Sequence, residues 1–147
     1  MNDITRIGVV KSKFTEPADP LAMRKHESLI RIDKEYKDGL YKIEENEYLQ
    51  IVFYFHISKE YSLQCTTYSG NFKGVFASRS PKRPSRIGVT TVKLLERKGR
   101  ELRVKGLDAV DGTPVLDIKP YSSSLDGNEQ ESIKRTYSKI RDEAIRE

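Results

Sequence analysis

Residues 48–57 alternate between apolar and mixed side chains, and this alternation restricts the possible folds more than any other feature of the chain. One side of the run is entirely apolar and comprises Leu49, Ile51, Phe53, Phe55 and Ile57. The other side comprises Gln50, Val52, Tyr54 and His56. A period of two with β-branched and aromatic residues is typical of a strand with one buried face. The pattern predicts a β-strand over residues 48–57.

Several shorter runs with the same period also predict strands. They cover residues 7–10, 28–33, 62–68, 89–95, 101–107 and 114–119. Residues 96–99 end in Gly99 and predict a hairpin turn between two of these runs. Asp38-Gly39 predicts another turn, with a short helical turn following it through Ile43. Many short strands, with neither a βαβ rhythm nor a G-x-G-x-x-G fingerprint, favour a mainly β barrel or sandwich.

The last part of the chain has a different period. From Asn128 onward the apolar residues Ile133, Tyr137, Ile140 and Ala144 recur at helical spacing among charged residues. This spacing predicts an amphipathic C-terminal helix over about residues 128–146, packed on the β domain or on a second subunit. The chain has 147 residues and no internal repeat, so we expect a single domain over residues 1–147.

Composition indicates the redox state of the compartment and the class of partner. The chain has 27 Lys and Arg against 22 Asp and Glu, a net charge of +5. That excess suits a polyanionic partner such as nucleic acid, although an unspecialised basic protein has it as well. Cys65 is the single cysteine, so it cannot form an internal disulfide, and we expect it to be buried in a reducing compartment. Together with His26 and His56, Cys65 does not form the sequence spacing of a zinc-binding motif.

Neither a membrane segment nor a secretion signal is predicted. No apolar run approaches the roughly 18 residues that a spanning helix needs. The N-terminus lacks the pattern of a signal peptide. We therefore expect a cytoplasmic protein with no bound metal.

The composition of residues 74–88 is not that of a purely structural segment. They hold four cations among prolines and serines, namely Arg79, Lys82, Arg83 and Arg86. Arginine forks bind carboxylate or phosphate at two points, and prolines reduce the entropy that a loop loses on binding. Serine hydroxyls and free amides can complete an anion site. By composition alone, a solvated basic loop is an equally good interpretation.

A second unusual segment covers residues 106–121. It contains Asp111-Gly112-Thr113-Pro114, which predicts a tight turn. Such a turn can offer a carboxylate and backbone groups to a ribose or an amine. The alternative is an ordinary Asp-Gly turn between two strands.

The amino-acid sequences of these two segments resemble those of one known family. Residues 74–89 read GVFASRSPKRPSRIGV and residues 106–121 read GLDAVDGTPVLDIKPY. They are similar to the segments GVFATRSPxRPNPIGL and GLDLLDGTPVLDIKPY of the TrmO family, also called TsaA-like or YaeB-like. The opening IGVVKSKF of residues 7–14 and the FYFH of residues 53–56 are similar to that family as well. The resemblance extends from about residue 5 to residue 121.

The resemblance implies a compact β-barrel that binds S-adenosylmethionine and acts as a homodimer. It implies methyl transfer to N6 of threonylcarbamoyladenosine beside the tRNA anticodon. The implied cofactor-binding residues are Met23, Arg24, Lys25, His56, Ile57, Arg79, Val89, Val110, Asp111, Gly112 and Thr113.

Individual roles can be assigned within this implied site. We expect Arg79 to hold the cofactor's carboxylate, and Asp111 to accept from a ribose hydroxyl or from the amine. Backbone groups of Gly112 and Thr113 are expected to contact the adenine edge. No general base is singled out, although Asp111 is a chemical candidate. The expected tRNA phosphate contacts are Lys82, Arg83, Arg86 and Lys119.

Two departures from the family pattern keep other functions open. Ser85 and Arg86 stand where the pattern has asparagine and proline, and the family's Pro-Arg-Gln triplet has no clear counterpart near residues 22–25. A non-catalytic RNA-binding barrel would need exposed aromatics, which the face of the predicted strand that bears Tyr54 could supply. A methyltransferase acting on a small metabolite would keep the cofactor site without affinity for tRNA.

Overall fold

A computed structural model describes residues 3–127, which form a small β-barrel with short helical segments. The strands are β1 (Gly8–Lys11), β2 (Glu27–Ile32), β3 (Tyr48–Tyr54), β4 (Gln64–Thr66), β5 (Phe72–Gly74), β6 (Ile87–Lys98), β7 (Glu101–Lys105) and β8 (Pro114–Pro120). The helices are α1 (Pro20–Met23), α2 (Ser123–Asp126) and the 3₁₀ segments Lys34–Leu40, Ile43–Glu45 and Val75–Ala77. The predicted helix over residues 128–146 lies outside the described residues.

Six of the strands close into one antiparallel barrel in the order β1-β2-β7-β6-β3-β8. β3 lies between β6 and β8, with Tyr54 opposite Ile87 and Leu49 opposite Pro120. Closure pairs the strand edges that an open sheet would leave exposed. The barrel expected from the resemblance is therefore confirmed.

The alternation that predicted β3 also selects the core. Leu49, Ile51 and Phe53 point inward and are at most 2% exposed. The same periodicity buries Ile30 on β2 and Leu102 on β7. One inward row from each strand fills the barrel, so the interior is apolar and the outer face carries most of the charges.

The predicted end of β3 was wrong, and the error bears on the site. The strand ends at Tyr54 rather than at residue 57. The Phe55 N–H donates to the Arg86 carbonyl at 2.9 Å, and the His56 N–H donates back to Tyr54 at 2.9 Å. The chain therefore turns after Tyr54, and Ile57 is 43% exposed instead of continuing the inward row.

The hairpin predictions need three further corrections. β4 covers only three residues rather than 62–68, and it pairs with β5, which was not predicted, in a separate two-stranded sheet. Cys65 in β4 is half-buried rather than buried. β6 runs on to Lys98 because Lys98 still pairs with Glu101 of β7. The predicted hairpin itself is confirmed, because β6 pairs with β7 antiparallel and Gly99 has φ of 60° at the turn.

The segment between β2 and β3 also differs from its prediction. Asp38-Gly39 does not form an isolated turn but lies inside the 3₁₀ segment Lys34–Leu40. The chain then enters Ile43–Glu45, where the short helical turn was expected. Within residues 3–127, no helix is both long and apolar enough to cross a membrane.

Candidate functional site

Most of the predicted cofactor-binding residues gather at one end of the barrel. We call this the site end, where β3 finishes at Tyr54 and β6 begins at Ile87. The other is the plugged end, where β3 begins at Tyr48 and the segment Lys34–Leu40 approaches β6 through the Leu40 carbonyl, which accepts from Arg97. The following geometry concerns the site end.

The turn at residues 110–113 is pinned onto β1 and onto the segment that follows it. The Gly112 N–H donates to the Val10 carbonyl at 2.8 Å, and the Val10 N–H donates to the Thr113 carbonyl at 2.9 Å. The Thr113 N–H donates within the turn, to Val110 at 3.2 Å. The N–H groups of Gly112 and Thr113 therefore already donate hydrogen bonds within the protein. Of the backbone groups expected to contact an adenine edge, only the carbonyls can still do so.

Asp111 is held in place without being buried. Its N–H donates to the Phe14 carbonyl at 2.7 Å, and its Oδ1 accepts from the Ser12 N–H at 3.0 Å. Its Oδ2 makes no hydrogen bond within residues 3–127. The carboxylate is thus oriented by one oxygen and exposed through the other.

His56 comes close to this turn. Gly112 has φ of 82°, which favours glycine, and a methyl group built on it would lie 3.8 Å from His56 Nε2. His56 is exposed rather than part of the core. The fold therefore brings together two predicted residues that are 56 positions apart (112 minus 56) in the sequence.

A polar cavity of about 160 Å³ opens beside β6. Phe53 and Phe55 form its apolar floor, and the polar lining comprises Ser78, Arg79, Arg83, Thr90 and Asp108. Gly88 is required at this wall, because a methyl group there would lie 2.7 Å from the Phe53 ring and 2.8 Å from the Phe55 ring. The side chain of Arg79 donates to the Val89 carbonyl, which joins two predicted site residues at the cavity.

Asp108 is the charged residue of the cavity lining that sequence reasoning missed. Its side chain is only 14% exposed. Its Oδ2 accepts from Arg24 Nε at 3.1 Å and from Arg24 Nη2 at 2.8 Å, while Oδ1 accepts from Thr90 Oγ1 at 2.6 Å. Asp108 stands inside the segment of residues 106–121, which was its only sequence signal.

With this geometry established, comparison with known proteins becomes informative. The model of the tRNA-methyltransferase O N-terminal domain matches residues 8–127. The chain belongs to the TrmO family. A probable S-adenosyl-L-methionine-binding protein of Pyrococcus abyssi is 41% identical over 84% of this chain and 70% of its own length.

Two further relatives are named for the family's enzyme. The tRNA (adenine(37)-N6)-methyltransferase of Escherichia coli is 36% identical over 79% of this chain and 56% of its own length. The crystal structure of TrmO from Pseudomonas aeruginosa superposes with a TM-score of 0.68 at 30% identity, over 87% of this chain and 59% of the other. This chain thus spans less than two thirds of either protein.

Not every residue carried over from the TrmO family faces the cavity. Met23 and Val110 are buried at 3% and 9% exposure, so they support the site through packing or backbone groups. Lys25 and Ile57 are exposed and do not line the cavity. Arg24 reaches the cavity only through Asp108.

The basic loop of residues 79–86 is tightly folded on itself. Arg83 Nη1 donates to the carbonyls of Ser78 at 3.0 Å and Ser80 at 3.2 Å. Arg86, where the TrmO pattern has proline, adopts φ of 34°, donates to the Ser58 carbonyl and covers the Tyr54 ring at 5.1 Å. Both guanidinium groups therefore shape the loop.

The residues expected to contact RNA do not form one cluster. Lys82 is exposed and has no ion-pair partner within the described part of the chain. Lys119 lies on β8 opposite Gln50, nearer the plugged end, and pairs with Asp117 at 2.9 Å. Of the four predicted residues, Lys82 is the one that lies on the loop beside the cavity and whose side chain is not engaged within residues 3–127.

Proposed function

We propose that this chain binds S-adenosylmethionine at the site end and methylates N6 of threonylcarbamoyladenosine in tRNA, beside the anticodon. The observation that carries the proposal is the cavity that Arg79, Arg83 and Asp108 line together. Membership of the TrmO family supports the chemistry, because relatives are named for S-adenosylmethionine binding and for adenine-N6 methylation of tRNA.

The residues at the site end suit the parts of this cofactor. A cavity of about 160 Å³ is smaller than the roughly 300–1,000 Å³ that encloses a whole drug-sized ligand, so it suits only the amino-acid end. Arg79 and Arg83 provide guanidinium donors for a carboxylate. Asp111 and the neighbouring His56 are placed to contact the nucleoside outside the cavity.

Catalysis then depends mainly on positioning. The cofactor, when bound, supplies an electrophilic methyl group on a sulfonium. The protein must align the target nitrogen with that methyl group and exclude water, and alignment supplies at most about 7–11 kcal/mol of barrier reduction. The nitrogen also has to lose a proton, and the exposed Oδ2 of Asp111 is our candidate for accepting it.

Lys82 is our leading candidate for contacting a tRNA phosphate. Arg83 and Arg86 are proposed to hold the loop that presents it, and Lys119 is proposed as a secondary contact from the more distant part of β8. Replacing Lys82 with Ala should weaken tRNA binding and lower the slope of log K against log salt by about one. Cofactor binding without measurable affinity for tRNA would favour the small-metabolite alternative.

The strand face that bears Tyr54 gives little support to the non-catalytic RNA-binding alternative. It requires aromatic side chains that are open for base stacking. Tyr54, which was the candidate, is half-buried and covered by the Arg86 guanidinium. A stacking platform on this face would first have to displace that arginine.

We also propose a cytoplasmic homodimer. The region around the β4–β5 sheet exposes large apolar side chains, including Tyr68 at 82%, Phe72 at 69% and Phe76 at 79%. A two-stranded sheet is only marginally stable alone, so a second copy that covers it would stabilise it. Phe72→Glu should shift the sedimentation mass from dimer to monomer, and an unchanged mass would contradict this assignment.

The decisive experiment is calorimetric titration with S-adenosylmethionine. We expect saturable binding to wild type and a loss of about ten- to a hundredfold in affinity for Arg79→Ala, since a charge-assisted hydrogen bond disappears. Arg100→Ala is the matched control, because Arg100 also donates to a backbone carbonyl, that of Ile32 at 2.8 Å, but away from the site end. Absence of binding to folded wild type would refute the proposal.

A further inference from the structure

Asp108 has an acceptor site to spare, although it already makes three hydrogen bonds. A carboxylate offers about four lone-pair sites. Arg24 uses two of them on Oδ2 and Thr90 uses one on Oδ1. One site on Oδ1 is left, and Asp108 lines the cavity.

The charges around the cavity are arranged in two parts. Arg79 and Arg83 lie on the loop side, whereas Asp108 is the one carboxylate in the lining that the structure describes. Two guanidinium groups and a separate carboxylate complement a zwitterion. An α-amino acid group, which carries a carboxylate and an ammonium on one carbon, has that charge pattern.

We infer that Asp108 Oδ1 accepts a hydrogen bond from the α-ammonium group of the cofactor, while the arginines of the loop hold the carboxylate. This inference rests on the proposed function and adds a specific contact to it. Arg24 and Thr90 hold the Asp108 carboxylate in position, so it loses little freedom on binding. The contact makes the pocket selective for ligands that keep the amino-acid group.

The ion pair with Arg24 offers a competing explanation. In that explanation Arg24 and Asp108 form only a structural clasp between the end of α1 and the segment before β8. The chain contains a matched clasp on the barrel wall, where Glu101 Oε1 accepts from Arg31 Nε at 3.1 Å and from Arg31 Nη2 at 2.7 Å. Comparing the two clasps separates ligand recognition from structural support.

The test is calorimetric titration of wild type, Asp108→Asn and Glu101→Gln with three nucleosides. S-adenosylhomocysteine keeps the ammonium and carboxylate, its decarboxylated amine keeps only the ammonium, and methylthioadenosine keeps neither. For Asp108→Asn we expect the first two to bind about ten- to a hundredfold more weakly, because a hydrogen bond to a charged group is lost. Methylthioadenosine binding should change less than about twofold, and Glu101→Gln should match wild type with all three.

Each other result contradicts the inference. An equal loss for all three ligands would show that Asp108 acts only through the fold, and an unchanged affinity would show that it does not contact the ligand. If Asp108→Asn does not fold, wild type can still overturn the inference, since the decarboxylated amine must bind more tightly than methylthioadenosine and equal affinities would exclude a contact with the ammonium. Wild type that binds none of the three would refute the proposed function itself.

Discussion

The two ends of the barrel differ in what their arginines hold and in what they leave open. At the plugged end, Arg97 Nη1 donates to the Leu40 carbonyl at 2.9 Å and to Glu44 at 2.6 Å, so the 3₁₀ segments are tied to β6. At the site end, Arg24 holds Asp108, and that carboxylate still faces a cavity. Arginine ion pairs thus hold the 3₁₀ segments against β6 at the plugged end, whereas at the site end an arginine holds a carboxylate that lines the cavity.

The two ends also differ in the size and the charge of their cavities. The larger cavity, about 510 Å³, lies at the plugged end and is lined by Tyr36, Tyr41 and Asp117 among others, with Lys42 as its one cationic lining residue. The site-end cavity is about 160 Å³ but brings two guanidinium groups and a carboxylate together. Converging charges of defined sign are a better guide to a ligand than volume.

Removing core volume at the plugged end should cause the largest change in stability without affecting binding. Leu49 is fully buried there and lines the larger cavity. Leu49→Ala should lower the free energy of unfolding by about 2–5 kcal/mol, measured by urea denaturation. The folded fraction should keep its affinity for S-adenosylmethionine, and a loss of affinity would mean that the two ends are coupled.

Crowding the wall of the site-end cavity should have a smaller effect on stability but a direct effect on binding. A methyl group at Gly88 would meet both the Phe53 and Phe55 rings at under 3 Å. Gly88→Ala should cost about 1–3 kcal/mol of stability and weaken cofactor binding, because the floor must shift. The control is Gly39→Ala at the plugged end, where nothing lies within 4 Å.

If Gly39→Ala reduced cofactor affinity as much as Gly88→Ala, the separation of the two ends would be wrong. Thermal melting and calorimetric titration of both variants would supply the comparison. We expect Gly39→Ala to match wild type in both measurements.

The smallest expected effect is electrostatic and belongs to the plugged end. The hydrogen bond from Arg97 lowers the pKa of Glu44 below its ordinary value of 4.5. A carboxyl group with a lowered pKa stabilises the fold above pH 4.5, and this contribution disappears as the pH falls through the folded-state pKa. Glu44→Gln should therefore make the melting temperature slightly less sensitive to acid.

Melting temperatures at pH 6 and pH 3 measure this difference. Glu45→Gln is the matched control, because Glu45 is exposed on the same 3₁₀ segment and makes no ion pair among residues 3–127. If both variants respond to acid alike, Arg97 does not tie the plugged end through Glu44.

The sequence by itself determined which residues of β3 face the core and which family the chain belongs to. The alternation in residues 48–57 placed Leu49, Ile51 and Phe53 inside correctly, because a strand's side chains alternate whatever its partners are. The resemblance in residues 74–89 and 106–121 identified the family, because motifs are read along the chain.

Only the tertiary structure decided where the strands stop and which distant residues meet. β3 ends at Tyr54 because the Arg86 N–H donates to the Arg83 carbonyl instead of to Phe55, and the His56 N–H turns back to the Tyr54 carbonyl, contacts that no local pattern encodes. Arg24 pairs with Asp108 across 84 positions only once the barrel closes. Periodicity is a property of the backbone itself, whereas strand ends, clasps and cavities depend on which segments closure brings side by side.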